Sequence, residues 1–363
     1  MNVCFFLGGL NSNGGIGRVV SVVANELSKY SDYNVFLLAY GDNGSGHVYE
    51  INDRIEYNFL YPEPINLQKA IFKGIFAQIR NYIKGKRIDV IIACGTNLYL
   101  PAVIAVKKTG AKALCWEHTG PHVTTDHSLQ MICRKIGARL SFINVLLTKK
   151  TKEIYDKEFC TPSKNVVIAN PIDDKVAQQY KDYQTESKKI IAVGRLTYQK
   201  NFPLMIKLFS TILKANPSWT VDIYGDGEER EELRNLIESL DLSGQITLKG
   251  RKENIYELYN DYSFIVSTSR YEGFPMTLLE ASANGLPMVS FDIETGPSEI
   301  IVDRFNGFLI PVNDTEMWKH CVEELIDNPN LRYEMSKRSK EKSKEYELHH
   351  VINEWIKVLQ FCK

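Results

Sequence analysis

The chain has 363 residues, 44% of them hydrophobic, and 44 basic residues balance 44 acidic ones. That length suits two domains with buried cores, and zero net charge leaves no global field to draw the chain to nucleic acid, though local patches still matter. The seven cysteines are scattered and form no Cys-x-x-Cys pair, which excludes a zinc ribbon or a thioredoxin-type dithiol; they read as small core residues of a reducing compartment.

Short apolar runs alternate with helical patterns from the N-terminus on, the signature of parallel sheets covered by helices. The first run, 2–7, has no basic segment before it and predicts a strand, not a signal peptide. Further strands are predicted at 33–38, 90–94, 111–116, 142–147 and 166–168, with helices at 16–29 and 67–84 between them. The segment 67–87 carries Ile71, Phe72, Ile75, Phe76, Ile79 and Ile83 on one face and Lys69, Lys73, Arg80, Lys84, Lys86 and Arg87 around it. Packing on its own sheet is the favoured reading of such a helix; peripheral contact with an anionic membrane is the alternative. Asn170-Pro171-Ile172-Asp173-Asp174 and the polar stretch to Lys189 predict a hinge. The pattern then restarts, with strands at 190–193, 220–224, 246–248, 264–267 and 288–291 and helices at 202–214, 229–240, 275–284 and 315–327. The last helix, 348–361, has Val351, Ile352, Trp355, Ile356 and Leu359 at helical spacing. No apolar run approaches the roughly 20 residues of a membrane span, so the expectation is a cytoplasmic protein with at most peripheral membrane contact.

Gly14-Gly15-Ile16-Gly17-Arg18 follows the first strand and opens a helix, where backbone amides can approach a phosphate or a sugar. Val20 stands where a dinucleotide fingerprint needs its third glycine, which argues against an NAD enzyme. Glu117 and His118 lie past the end of a predicted strand, where α/β proteins bind ligands. His118 could bond a sugar hydroxyl or take up a proton near neutral pH, or be a satisfied strand-end histidine. His122 and His127 stand close by, but no ligand pair has helical i, i+4 spacing together with the third partner a metal site needs. Arg195 and Lys200 follow the strand at 190–193 and offer a planar fork and a point charge for phosphate oxygens. Tyr224-Gly225-Asp226-Gly227-Glu228 reads equally as a ligand-side turn or a plain one. In Ser267–Ala281, Glu272 precedes a helix that Pro275 opens, and Glu280 lies over one turn inside it. The amides near Met276, Thr277 and Leu278 are expected to be open to phosphate. Cations for a diphosphate and carboxylates for hydroxyls are what a nucleotide-sugar site needs.

These elements resemble a retaining glycosyltransferase of family 4, with the GT-B fold of two facing Rossmann-like domains, over nearly the whole chain. Glu272 and Glu280 match the family's E-x7-E element. Gly194, Arg195 and Lys200 match its G-R-x4-K element, and Gly14, Gly15 and Gly17 its glycine loop. Ile-Gly-Arg stands where the family often has Glu-Arg. Thr295-Gly296-Pro297-Ser298-Glu299 is common in its bacterial polysaccharide members. The resemblance implies an acceptor-binding domain over 1–172, a nucleotide-sugar domain over 186–345 and a helix, 346–363, returning to the first. It implies catalytic roles for Glu272, His118, Arg195 and Lys200. Donor contacts would come from Gly15, Arg251, Lys252, Gly273, Phe274, Pro275, Met276, Thr277, Leu278 and Glu280 as well. Gly14, Gly17, Glu117 and His118 would lie on the acceptor side. The implied reaction moves a hexosyl or N-acetylhexosaminyl unit from a UDP-sugar to a glycan or lipid-linked glycan, with retention and no cofactor. No metal is expected, since the chain contains no Asp-x-Asp. A sugar-nucleotide epimerase or hydrolase of the same architecture is the rival reading.

Overall fold

The computed structural model describes residues 1–10, 14–42, 48–63, 65, 67–122, 129–159, 161 and 164–363, apart from the side chains of Leu67 and Phe72. The expectations that touch His127 and Cys160 lie outside them. The chain divides into two compact units: Met1–Pro171 with Leu348–Lys363, and Ile172–Glu347.

In the first unit β1 (Asn2–Leu7), β2 (Asn34–Gly41), β3 (Glu56–Tyr61), β4 (Val90–Cys94), β5 (Lys112–Trp116), β6 (Ile143–Leu146) and β7 (Asn165–Val167) form one sheet. The order is β3-β2-β1-β4-β5-β6-β7, and every pairing is parallel. The second unit holds β8 (Lys189–Val193), β9 (Thr220–Tyr224), β10 (Ile246–Gly250), β11 (Phe264–Ser267), β12 (Met288–Asp292) and β13 (Gly307–Pro311). Their order is β10-β9-β8-β11-β12-β13, again all parallel. Both sheets are Rossmann-like. Central strands such as Val90–Cys94 are buried on both faces, which is why they read as continuous apolar runs.

Two strands escaped the sequence reading, and both are edges. β3 has only Tyr61 buried, so its residues carry little apolar signal. β13 starts at Gly307 and ends at Pro311, residues that normally interrupt a strand. A Cβ on Gly307 would lie 2.3 Å from the Met288 carbonyl oxygen, so the close pairing requires glycine. The expected helix over 67–84 is two helices, Leu67–Phe72 and Ile75–Lys86, broken where Gly74 adopts φ +74°. Ile75, Ile79 and Ile83 are buried against their own sheet, so the second of these helices spends its apolar face on the core.

The helix Thr96–Ala105 also went unpredicted. It contains Pro101 and is buried almost all round, which erases the amphipathic period. The stretch 173–185, expected as hinge, packs within the second unit instead. Asn260 Nδ2 donates to the Gln179 carbonyl at 2.7 Å, and Tyr183 Oη to that of Ser263 at 2.5 Å. The helix Leu348–Phe361 belongs to the first unit, where the Trp355 ring lies 4.7 Å from Trp116 and 6.2 Å from Phe5.

Candidate active site

In a sheet of this order the chain reverses direction between its first and fourth strands, and ligands bind beyond the carboxyl ends there. In the second unit these strands are the neighbours β8 and β11. The loop after β8 carries Arg195 and Lys200; the loop after β11 carries Glu272.

The two loops are laced together. Arg270 N donates to the Gln199 carbonyl at 2.8 Å, and Thr268 Oγ1 donates to those of Lys200 and Asn201. The Arg270 guanidinium bonds the Tyr198 carbonyl at 3.1 Å and Asn201 Oδ1 at 2.7 Å while lying over the Tyr198 ring. Asn201 itself has φ +53° at the start of the helix Phe202–Ala215. Glycines set the spacing to the next loop. A Cβ on Gly225, at φ +144°, would lie 1.8 Å from the Gly194 carbonyl oxygen, and one on Gly227 2.3 Å from that of Leu196. The Gly225-Asp226-Gly227 turn is therefore a packing requirement of the loop that holds Arg195.

Lys200 Nζ meets Glu272 Oε1 at 2.5 Å in a largely buried ion pair. Ser269 Oγ donates to the same oxygen at 2.8 Å, and Gln199 Nε2 to the other at 3.2 Å. Sequence reasoning left Glu272 free to accept from a sugar; its carboxylate already holds three donors, because a buried charge must be compensated. Arg195 is exposed, and among the described residues its guanidinium has no acceptor. The loop after β12 supports the arrangement. Thr295 Oγ1 donates to the Glu272 carbonyl at 2.5 Å, and Gly296, at φ +104°, sits where a Cβ would press within 2.7 Å of Pro275 Cδ.

Pro275 precedes the helix Met276–Ala283. Gly273, Met276 and Thr277 are partly exposed, while Phe274 is buried with its ring 5.6 Å from Tyr346. The Leu278 amide is not open to a ligand: it donates to the Pro275 carbonyl at 3.0 Å. Glu280 is buried, with Tyr259 Oη 3.4 Å from its carboxylate. Arg251 and Lys252 are exposed after β10. Gln199, Ser269, Arg270 and Thr295 were missed as site residues. The only signal for Gln199, Ser269 and Arg270 was their place beside the motif residues.

The first unit is corrected more strongly. Glu117 does not face solvent. It is buried in an ion pair with Arg134 Nε at 3.0 Å and also accepts from Tyr155 Oη and from the Thr119 amide and hydroxyl. A carboxylate so enclosed is structural. Gly17 is buried against Tyr49 and Leu10, so its lack of a side chain serves packing. Gly14 and Gly15 are exposed, and the Gly14 amide donates to Tyr49 Oη at 3.0 Å. His122 pairs with Glu158 at the surface.

The His118 ring packs 4.4 Å from that of Trp116, and its Nε2 is buried with no partner among the described residues. Burial pushes its pKa down to about 3, so it is neutral at pH 7 and takes up no proton there. The unfolded chain protonates this residue below about pH 6.5 and the folded chain does not. Stability from His118 is therefore present above that pH and is lost on descent toward 3. The urea midpoint of His118→Asn should fall less than that of the parent between pH 6.5 and 4; parallel curves would refute a buried neutral imidazole.

Glu347, His349 and His350 bring three potential metal-ligand atoms within 4.8 Å of one another at the start of the last helix, both histidines exposed. Exposed groups of this kind are common without a metal.

The model for glycosyl transferases group 1 matches residues 174–342, and that for glycosyltransferase family 4 matches residues 13–176. The chain is a glycosyltransferase. An uncharacterized glycosyltransferase of Haemophilus influenzae is 29% identical to it, over 98% of this chain and 99% of that one. The amylovoran biosynthesis glycosyltransferase AmsD of Erwinia amylovora is 28% identical, over 97% of each. Among solved structures, HepE of Anabaena in complex with UDP superposes with a TM-score of 0.82 at 15% identity, over 99% of this chain and 100% of that one. The glycosyltransferase thus has the GT-B fold. No helix among its described residues is long and apolar enough to cross a membrane.

Proposed function

We propose that this glycosyltransferase moves a hexosyl or N-acetylhexosaminyl unit from a UDP-sugar, with retention of anomeric configuration, to a hydroxyl of a lipid-linked bacterial surface glycan at the inner face of the membrane. The observation that carries the reading is the site at the β8/β11 reversal. There Arg195, exposed and with no acceptor among the described residues, shares the loop after β8 with Lys200, which pairs with Glu272. In this reading the second unit holds the donor. Arg195 and Lys200 offset charge growing on the leaving diphosphate, Arg251 and Lys252 lie toward the nucleotide, and Glu280 accepts from the ribose. The first unit holds the acceptor, with His118 as a neutral hydrogen-bonding group. The relation to AmsD supports a surface-polysaccharide role, and the likeness to a UDP-bound fold supports the donor.

A panel of nucleotide-sugars, followed for nucleoside diphosphate release with and without membrane lipid extract, tests the reading. Lipid-dependent release from a UDP-sugar is expected. Free sugar or an epimer without acceptor would install the hydrolase or epimerase instead. Glu280→Gln should weaken UDP binding in titration calorimetry by about tenfold, the loss of one hydrogen bond to a charged group; parent-like affinity would remove Glu280 from the ribose. Two protein cations at the diphosphate make a metal dispensable, so turnover should survive EDTA, and its abolition with rescue by magnesium or manganese would contradict that.

A further inference from the structure

The helix Leu129–Leu140 presents an unusual face to solvent. Its inner face buries Cys133, Arg134, Gly137 and Ala138. A Cβ on Gly137 would lie 2.4 Å from Tyr99 Cβ, so this face presses directly on the helix Thr96–Ala105. Four-residue spacing then aligns Ile132, Ile136 and Leu140 outward, and they are 47%, 40% and 48% exposed. Amphipathic helices of soluble domains put polar residues there. The apolar surface continues past the helix end into Phe142, whose ring stacks on that of Phe361, 71% exposed, at 5.8 Å.

Cations accompany this surface. Lys135 and Arg139 are exposed along the stripe, and Lys112 Nζ lies 4.5 Å from the Phe142 ring. Lys107 and Lys108 are exposed just before β5, at the sheet end where Phe142 precedes β6. The helix contains no acid. Glu117, the nearest described acid before it in sequence, is consumed by Arg134.

We propose that the outer face of Leu129–Leu140, with Phe142 and Phe361, docks on an anionic lipid bilayer. Exposed large apolar side chains interleaved with cations match an interface that offers hydrocarbon beneath acidic headgroups. A two-fold contact with a second copy fits worse, because an isologous interface would set Lys135 and Arg139 near their own images. The docking surface differs from the basic segment 67–87 considered from sequence, whose Ile75, Ile79 and Ile83 are spent on the core. It adds to the transferase reading without depending on it, since lipid binding is measured with no donor present.

The test is flotation of the full chain with phosphatidylcholine vesicles, with and without phosphatidylglycerol, at low and high salt. The parent should float only with the anionic vesicles, and less at high salt. Lys135→Glu should weaken binding at least fivefold, and Ile132→Ser with Ile136→Ser about tenfold or more, with unchanged thermal midpoints because these side chains face solvent. Absence of flotation, equal binding to neutral vesicles, or parent-like binding by both variants would overturn the proposal. A dimer in light scattering that the Ile132→Ser/Ile136→Ser variant dissolves would assign the face to a second copy.

Discussion

Arg195→Ala is expected to lower turnover by about 10²–10³-fold while unfolding as the parent does. Arg195 is exposed on the loop after β8, and no described residue accepts from its guanidinium, so its removal strands nothing in the folded protein. What it loses is a preorganised charge at the point where the proposed diphosphate leaves. Lys200→Ala should lower turnover by a similar factor but destabilise the protein as well. Lys200 holds Glu272 at 2.5 Å in a largely desolvated pair, and removing one member of such a pair leaves the other uncompensated, at a cost of about 3–5 kcal/mol. Steady-state kinetics combined with urea unfolding separates the two roles. Parent-like turnover in both variants would remove the cations from the mechanism. Equal stability loss in both would show that Arg195 has a structural partner after all.

Trp355→Ala should destabilise the first unit by about 3–5 kcal/mol, the range for deleting a large buried aromatic. Trp355 is fully buried, and its ring contacts those of Phe5 on β1 and Trp116 on β5. Both ring partners of Trp355 belong to the first unit, so UDP affinity, proposed for the second, should change little while transfer falls with the folded fraction of the first. Truncation after Glu345 should act in the same direction and more strongly, since it also removes Val351, Ile352 and Leu359 from the core. Unfolding followed through tryptophan fluorescence, alongside calorimetry with UDP, checks both. A Trp355→Ala protein with parent-like unfolding would show that the returning helix is not part of the first unit's core.

Central parallel strands such as Val90–Cys94 and Phe264–Ser267 were legible because burial on both faces demands an unbroken apolar run. The last helix was legible because one apolar face at helical spacing must find a partner. Edge strands were not, since one side of each faces no neighbour and the composition relaxes; Glu56–Tyr61 and Gly307–Pro311 are the cases. The helix around Pro101 was hidden by burial all round.

In the site, the residue types and their order after strands and before a helix were local facts, and they sufficed to select Arg195, Lys200, Glu272 and Glu280. Which charges compensate each other was not local. Glu117 and Glu272 both stand just past strands and look alike in sequence. Arg134, arriving from a helix 17 residues on, buries the first inside the first unit, while Lys200 and Ser269 hold the second at the mouth of the β8/β11 crevice. Likewise His118 reads as a titrating group from its type alone, and only its desolvation beside Trp116 makes it neutral. Sequence by itself determined the alternation of strand and helix and the chemistry available at each strand end, because propensity, period and turn residues act over a few neighbours. Tertiary structure decided which of those groups are spent on one another and which remain for a ligand, because pairing and desolvation depend on residues that meet only when distant segments fold together.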